Sequence, residues 1–192
     1  VAPSRGLGDV YKRQKDVVFL DIMSAVALAT CAVMPLVISL QPLIFGISQL
    51  VTALQIGVFF AIGLYKVRKP GSLLIMALMM GLIQLMMSPP MFLSSVLNGV
   101  LIELIVLLLF RGYEKDAAVF VAAMLHTPLS LPFNYLYNRL VKGTDSPLAA
   151  VADRAPLAAV GMTLAVVAVS ALGALIGIKI ARELKKSGVL KK

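Results

Sequence analysis

The apolar residues of this chain form six continuous blocks, separated by short polar or proline-containing breaks. The blocks cover residues 17–40, 43–64, 73–88, 91–110, 117–137 and 157–180. Each is close to the length of about 20 residues that an α-helix needs to cross a bilayer. Because the blocks are continuous rather than alternating, they favour helices over the strands of a barrel. The pattern predicts an all-α integral membrane protein with six transmembrane helices in one domain, residues 15–192.

Composition agrees with this pattern and excludes an ordinary water-soluble domain. The chain is 60% apolar and 14% charged, and it contains no Trp. This is more apolar sequence than one globular core of 192 residues buries. The net charge of +9 is spread over the breaks and the two ends. It therefore indicates membrane topology and contact with the lipid bilayer, and we expect no nucleic-acid partner.

The distribution of basic residues predicts the orientation. Fifteen of the 18 Lys and Arg residues lie in the N-terminal segment, the second and fourth connections and the C-terminal tail. The other three are Arg139, Lys142 and Arg154, in the fifth connection. Because positive charge marks the cytoplasmic side, both termini are predicted to be cytoplasmic. The charge-free breaks at Gln41-Pro42 and Pro89-Pro90 are then expected to be tight external turns, in a multi-pass protein of a prokaryotic plasma membrane.

The first 14 residues differ from the rest of the chain. The segment VAPSRGLGDVYKRQ is polar, basic and rich in Gly, and it lacks the apolar centre of a signal peptide. It resembles translated linker sequence, so we expect residues 1–14 to be a non-native or disordered leader. A genuine basic tail is the alternative.

No motif for catalysis or metal binding occurs in the sequence. There is no G-x-x-x-x-G-K-[ST], H-E-x-x-H or G-x-S-x-G, and the one histidine is His126. The single cysteine, Cys31, lies in an apolar block and is expected to pack as a small apolar group. We therefore expect no enzyme activity, no cofactor and no metal site.

One acid lies inside a long charge-poor stretch and has to be explained. Between Lys69 and Arg111 there are 41 residues with a single charge, Glu103. An ionisable group at bilayer depth is costly and is by default a functional candidate. At a rise of 1.5 Å per residue, Glu103 lies about 18 Å from the outer edge and His126 about 13 Å from the inner edge. The two are therefore expected to be able to pair, as the floor of a pocket or a latch between helices.

A second set of polar residues lies in the outer halves of four blocks. Amide and phenol groups there can hydrogen-bond a polar organic molecule if their faces converge. The same groups can instead bond across helices, for about 0.6 kcal/mol each. Together with Glu103 and His126, the candidates for substrate binding are Gln49, Gln84, Asn98, Asn134, Tyr135 and Asn138, with Thr52 beside them.

Two further features of the blocks concern helix packing. Ala25-x-x-x-Ala29 and Gly173-x-x-x-Gly177 would each allow close approach of another helix, from within this chain or from a partner. Pro128 and Pro132 interrupt the fifth block and free backbone carbonyls that a neighbour or a bound group must satisfy.

These features together resemble an S component of an energy-coupling factor (ECF) transporter. The stretches that carry the resemblance are Lys69-Pro70-Gly71, Gly81-Leu-Ile-Gln84, Ser88-Pro89, Asn98-Gly99-x-x-x-Glu103, Phe110-Arg111 and Gly173-Ala-Leu-Ile-Gly177. They are similar to the branch linked to thiamine and its hydroxymethylpyrimidine precursor. The resemblance covers nearly the whole chain.

The resemblance implies a binding subunit that captures a vitamin or related micronutrient from outside. It implies a membrane coupling subunit and two cytoplasmic ATPase subunits as partners, with Ala25 and Ala29 contacting the coupling subunit. The connection near Gln41-Pro42 would gate the pocket.

Two other functions remain open from the sequence. A small proton-coupled secondary transporter would use Glu103 and His126 as a proton relay. A membrane scaffold without a ligand would use Glu103 only to pair helices. Carriers commonly contain two related halves, and the sequence contains no such pairing.

Overall fold

The protein is an all-helical bundle, seen in a computed structural model. The structure describes residues 4–33, 36–37, 39–143 and 146–190, with the backbone alone at 4–12. The helices of this part are α1 (Ser4–Thr30), α2 (Ile47–Lys66), α3 (Ser72–Leu85), α4 (Pro89–Phe110), α5 (Asp116–Val141), α6 (Pro147–Arg154) and α7 (Pro156–Lys186).

Two ends of the bundle can be distinguished by their connections. At one end, Lys69 between α2 and α3 pairs with Asp16 of α1 at 2.6 Å, and Arg182 of α7 pairs with Asp116 of α5 at 2.6 Å. We call this the basic end. The opposite end contains the connections α1–α2, α3–α4 and α5–α6, and we call it the pocket end. The start of α1 and the end of α7 therefore lie towards the same end of the bundle.

Small residues bring α2 and α7 into close contact. A Cβ added to Gly173 would lie 2.5 Å from the Leu54 carbonyl oxygen, and one on Gly177 would overlap the Val58 carbonyl oxygen. On the α2 side, a Cβ on Gly57 would lie 2.9 Å from the Ser170 carbonyl oxygen. The Gly173-x-x-x-Gly177 face is therefore used inside the bundle, one of the two alternatives that the sequence left open.

The α3–α4 pair is built in the same way. A Cβ on Gly99 would lie 2.5 Å from Ala77 Cβ, and the Ser95 hydroxyl donates to the Ala77 carbonyl at 2.8 Å. The face formed by Ser95, Gly99 and Glu103 thus packs against α3 and the residue that precedes it.

The bundle buries an apolar core and also exposes leucines on its outer surface, as a membrane protein does. Phe60, Met76 and Ile102 are fully buried, whereas Leu108 and Leu157 are more than 80% exposed. Within the described part of the chain, four helices are long and apolar enough to cross a membrane: α2, α4, α5 and α7. The helix α3 is apolar but has only 14 residues, about 21 Å. The prediction of six spans with cytoplasmic termini stays a prediction.

The helix boundaries differ from the predicted blocks at three places. The helix of the first block ends at Thr30, so the connection to α2 at Ile47 is much longer than a tight turn at Gln41-Pro42. This connection contains Pro35 and Pro42, which lack the N–H that a continuing helix needs; Met34, Pro35 and Ile38 lie outside the described residues. Pro89 and Pro90 begin α4 instead of forming the turn, because the first helical positions need no backbone donor.

Another difference is α6, which forms in the segment predicted as the fifth connection. The backbone is helical from Ser4, so α1 contains most of the segment predicted as a leader. Its non-native origin stays a prediction.

A neighbouring helix satisfies the backbone carbonyl that Pro128 frees. Pro128 cannot donate to the Met124 carbonyl four residues earlier. The Ser170 hydroxyl of α7 donates to that carbonyl at 2.7 Å instead. The freed Met124 carbonyl is thus satisfied by packing against α7.

Candidate functional site

A polar chamber lies inside the bundle, between α2, α3, α4 and α5. Its volume is about 90 Å³. Its polar lining consists of uncharged side chains from the α1–α2 connection and these four helices: Gln41, Ser48, Gln49, Thr52, Gln84, Ser94, Ser95, Asn98, His126, Thr127, Ser130 and Asn134. The described lining contains no Asp, Glu, Lys or Arg.

Helical spacing explains why these side chains converge. Residues four apart lie on one face of a helix. Ser94 and Asn98 follow this spacing on α4, Ser130 and Asn134 on α5, and Ser48 and Thr52 on α2. Three of the four helices thus present polar stripes towards one another within an otherwise apolar bundle, and α3 adds Gln84.

Three lining residues hold buried polar atoms without a hydrogen-bond partner among the described residues. These atoms are Asn98 Oδ1, both ring nitrogens of His126, and Thr127 Oγ1. The side chains are almost completely buried, with exposures of 1%, 5% and 3%. Leaving such an atom unbonded costs about 1–3 kcal/mol. The chamber is therefore destabilised by its own polar groups unless something else bonds them.

The position of His126 is fixed by an aromatic contact. Its ring lies 4.4 Å from that of Phe60, centroid to centroid, at an interplanar angle of 54°. Phe60 is fully buried on α2. The tilted contact orients the imidazole without using either ring nitrogen.

An apolar chamber adjoins the polar one. It has a volume of about 210 Å³ and shares Thr52, Ile56, Met80, Gln84 and Met91 with the polar chamber. The rest of its lining consists of Leu28, Cys31, Ala32, Ile83 and Met87. Cys31 therefore has the packing role that was expected, at the wall of a cavity.

A chain of hydrogen bonds lies at the mouth of the polar chamber. The Gln41 amide donates to the Ser48 hydroxyl, which donates to Gln49 Oε1 at 2.8 Å. Gln41 and Met91 also line an outer vestibule of about 310 Å³, together with Pro42, Pro90 and Asn138. Gln41 thus separates the chamber from the vestibule at the pocket end.

Five of the eight predicted substrate-binding residues lie in the polar chamber. They are Gln49, Gln84, Asn98, His126 and Asn134. The structure places Glu103, Tyr135 and Asn138 elsewhere.

Glu103 is neither the floor of the chamber nor a partner of His126. Its Oε1 accepts a hydrogen bond from the Gly71 N–H at 2.6 Å, and its Oε2 accepts one from the Tyr113 hydroxyl at 2.8 Å. Gly71 precedes α3 with a φ of 86°, a left-handed conformation that favours glycine. The carboxylate thus stabilises the start of α3, where the helix dipole favours negative charge. Glu103 is a latch, but it joins α4 to α3 and to the α4–α5 connection.

Tyr113 completes this latch from the α4–α5 connection. Its side chain is fully buried. Burial, together with the charge and hydrogen bond of Glu103, raises the pKa of the Tyr113 hydroxyl. The phenol therefore keeps its proton and remains a donor to Glu103.

Tyr135 and Asn138 hold the connection that follows α5. The Tyr135 hydroxyl donates to Asp153 of α6 at 2.7 Å. The Asn138 amide donates to the Asn134 carbonyl at 2.8 Å, and its Oδ1 accepts from the Ser146 hydroxyl at 3.0 Å. Both lie beyond the chamber because α5 continues to Val141, one turn past the predicted block.

Sequence reasoning missed most of the hydroxyl groups in the chamber. Ser94, Thr127 and Ser130 are the clearest cases, since they lie one helical turn from Asn98 or Asn134 or next to His126. That spacing was visible in the sequence. Ser and Thr in helices often bond their own backbone, however, as Ser130 does with the Thr127 carbonyl at 2.7 Å.

Several charges of the basic end are paired. Asp116 accepts hydrogen bonds from both Arg68 and Arg182, which join the α2–α3 connection and α7 to the start of α5. No cluster of three or more His, Cys, Asp and Glu side chains that could hold a metal occurs in the described ranges. Ala25 and Ala29, predicted to contact a partner, are exposed on α1.

Comparisons with known proteins assign the chain to a family. Residues 14–186 match the family model described as "Hypothetical bacterial integral membrane protein (Trep_Strep)". No curated protein and no solved structure matches the chain. With its four apolar helices, the protein is a multi-pass protein of a prokaryotic membrane. The chain therefore belongs to the Trep_Strep family of hypothetical bacterial integral membrane proteins.

Proposed function

We propose that the protein is the substrate-binding membrane subunit, or S component, of an ECF-type importer. In this role it captures a vitamin or related micronutrient, with thiamine or its pyrimidine precursor as the best candidates from the sequence resemblance. The observation that carries the proposal is the enclosed polar chamber, whose buried Asn98, His126 and Thr127 have atoms without partners. A scaffold has no use for such a chamber.

The shape of the site supports a binding role. Ligand sites are concave and mostly apolar, with a few polar groups that orient the ligand. The two adjoining chambers have this division, and the vestibule beyond Gln41 supplies an entrance. In the proposal this entrance faces the outside, six helices span the membrane and both termini are cytoplasmic.

The energy for uptake would come from partner subunits. The sequence contains no phosphate-binding loop. The proposed partners are a membrane coupling subunit and two cytoplasmic ATPase subunits. The exposed Ala25 and Ala29 on α1 would allow close approach of a coupling-subunit helix.

The geometry argues against the proton-relay alternative. A relay through Glu103 and His126 needs a hydrogen-bonded path between them. Both Glu103 oxygens are bonded to Gly71 and Tyr113 instead, and His126 has no partner among the described residues. Glu103 therefore has a structural role that does not require it to exchange protons.

Co-purification and uptake together test the proposed function. The tagged full-length chain is expressed with the ECF coupling and ATPase genes of its own organism, and uptake of radiolabelled thiamine and hydroxymethylpyrimidine is measured. We expect the subunits to co-purify, and uptake to require an intact ATPase site. Uptake by the reconstituted chain alone, driven by an ion gradient, would contradict the proposal.

Substitutions on α1 test the proposed partner surface. The double variant Ala25→Leu/Ala29→Leu should reduce recovery of the coupling subunit several-fold while leaving ligand binding by the isolated chain unchanged. Ala117→Leu is the matched control, because Ala117 is an exposed alanine on a different helix, α5. Equal recovery with both variants would remove this face of α1 from the interface.

A further inference from the structure

The lining of the two chambers restricts the chemistry of the ligand. This step rests on the proposed function, because it assumes that the chambers hold a ligand. Three properties of the lining decide it: its lack of charge, its unbonded polar atoms and the division between a polar and an apolar part.

No charged side chain is available to a ligand in the described lining of either chamber. Glu103 lies five residues beyond Asn98 on α4, about 7.5 Å along the helix, and both of its oxygens are already bonded. Burying an ion without a partner costs several kcal/mol. The site therefore disfavours both cations and anions.

The unbonded atoms require both kinds of hydrogen-bonding group on the ligand. Asn98 Oδ1 accepts and needs a donor. An uncharged imidazole has one donor and one acceptor nitrogen, so His126 needs one group of each kind. Thr127 Oγ1 can take either role. A head group with at least one donor and one acceptor bonds these atoms, whereas a hydrocarbon leaves them unbonded.

The volumes of the two chambers indicate a ligand with two parts. A cavity of about 150 Å³ holds a benzene molecule. The polar chamber, at about 90 Å³, accepts a head smaller than that. The apolar chamber, at about 210 Å³ and with Cys31, Met80 and Met91 in its wall, accepts an apolar body of at least one ring. The methionine side chains allow this body to vary in shape.

We propose that the ligand is an uncharged amphiphilic molecule: its head, with a donor and an acceptor, binds Asn98, His126 and Thr127, and its apolar body fills the chamber beside Cys31. Applied to the two candidates named above, this favours the uncharged pyrimidine over thiamine, whose thiazolium ring is a permanent cation.

An isosteric charge series tests the inference on the purified full-length chain in detergent. Benzamide, benzoate and benzamidinium share one shape and differ in the charge of the head group. Dissociation constants are measured by equilibrium dialysis. We expect benzamide to bind at least tenfold more tightly than either ion, a difference of about 1.4 kcal/mol. Equal or tighter binding of either ion, or no binding of benzamide, overturns the inference.

Two variants locate the binding on the proposed atoms. Asn98→Leu and His126→Leu should each weaken benzamide binding at least tenfold. Because Asn98→Leu removes an unbonded buried oxygen and keeps the branching and the number of heavy atoms of the side chain, the melting temperature of the ligand-free protein should stay the same or rise. Unchanged benzamide affinity in both variants overturns the assignment of the head group.

Failure of the charge series can be distinguished from failure of the proposed function. Failure of the charge series with intact co-purification and ATP-dependent uptake would leave an S component with a charged ligand. Success of the series without ATPase subunits would leave an uncharged ligand on a protein of another class.

Discussion

Glu103, near the basic end, and the chamber at the pocket end differ in how their buried polar groups are bonded. At the basic end, Glu103 is 94% buried and both of its oxygens are hydrogen-bonded, to Gly71 and Tyr113. At the pocket end, Asn98 and His126 are buried to a similar degree and hold atoms without partners in the described structure. A buried polar group that is satisfied within the fold holds the fold together. One that is not satisfied lowers stability, and in our proposal the ligand bonds it.

Because of this contrast, charge in the sequence is a poor guide to the candidate site. Glu103 is the most conspicuous polar residue of the apolar blocks, yet it belongs to the structural end. The uncharged amides, hydroxyls and imidazole, each unremarkable alone, form the chamber. The comparison therefore predicts that substitutions at the basic end change stability, whereas substitutions in the chamber change binding.

The largest expected effect comes from removing the Glu103 carboxylate. Glu103→Ala leaves the Gly71 N–H and the Tyr113 hydroxyl without their acceptor, at about 1–3 kcal/mol for each group. The melting temperature in detergent should fall strongly, while ligand affinity of the folded protein stays within about twofold.

Glu103→Gln is the graded control. The amide oxygen can still accept from one donor, so the loss should be intermediate between wild type and Glu103→Ala. A fall in ligand affinity without a fall in melting temperature would place Glu103 in the site and break the comparison between the two ends.

The next effect concerns the close α2–α7 contact. In Gly177→Ala the new Cβ overlaps the Val58 backbone carbonyl, which cannot rotate away as a side chain can. Overpacking of this kind costs about 1–3 kcal/mol. Thermal or denaturant unfolding in detergent measures the loss.

Gly161 provides the matched control on the same helix. A Cβ there has no neighbour within 4 Å among the described residues. Gly161→Ala should therefore be neutral or stabilising by up to about 1 kcal/mol, from helix propensity alone. Equal destabilisation by both variants would mean that the loss at Gly177 arises from something other than the α2–α7 contact.

Much of this architecture can be predicted from the pattern of the chain. Continuous apolar blocks locate the helices, and five of eight site candidates fall in one chamber, since Gln84, Asn98 and Asn134 lie at similar depth on neighbouring helices. Depth along a helix follows from residue number. Rotation of the helix about its axis does not, and the contacts of a single polar residue depend on it.

The contacts of Glu103 and the length of the α1–α2 connection could not be predicted in this way. The Glu103 partners are 32 residues away at Gly71 and in the next connection at Tyr113, so no local spacing identifies them. The first block is mostly apolar over residues 17–40, and its composition does not reveal that the helix ends at Thr30. Distant contacts and proline positions decide these features, and the hydropathy of a segment reports neither of them.

The smallest expected effect lies in the ion pairs at the basic end, where Asp116 binds Arg68 and Arg182. Its side chain is 34% exposed, and pairs of this kind contribute about 0–1 kcal/mol. Asp116→Asn should lower the melting temperature slightly at low salt, and the difference should shrink at high salt because exposed charges are screened. Asp153→Asn is the control at the other end, since Asp153 pairs with one arginine, Arg139, at 3.0 Å. Because Asp116 binds two guanidinium groups and Asp153 one, the salt-dependent loss should be greater for Asp116→Asn. A larger salt-dependent loss for Asp153→Asn would contradict this order.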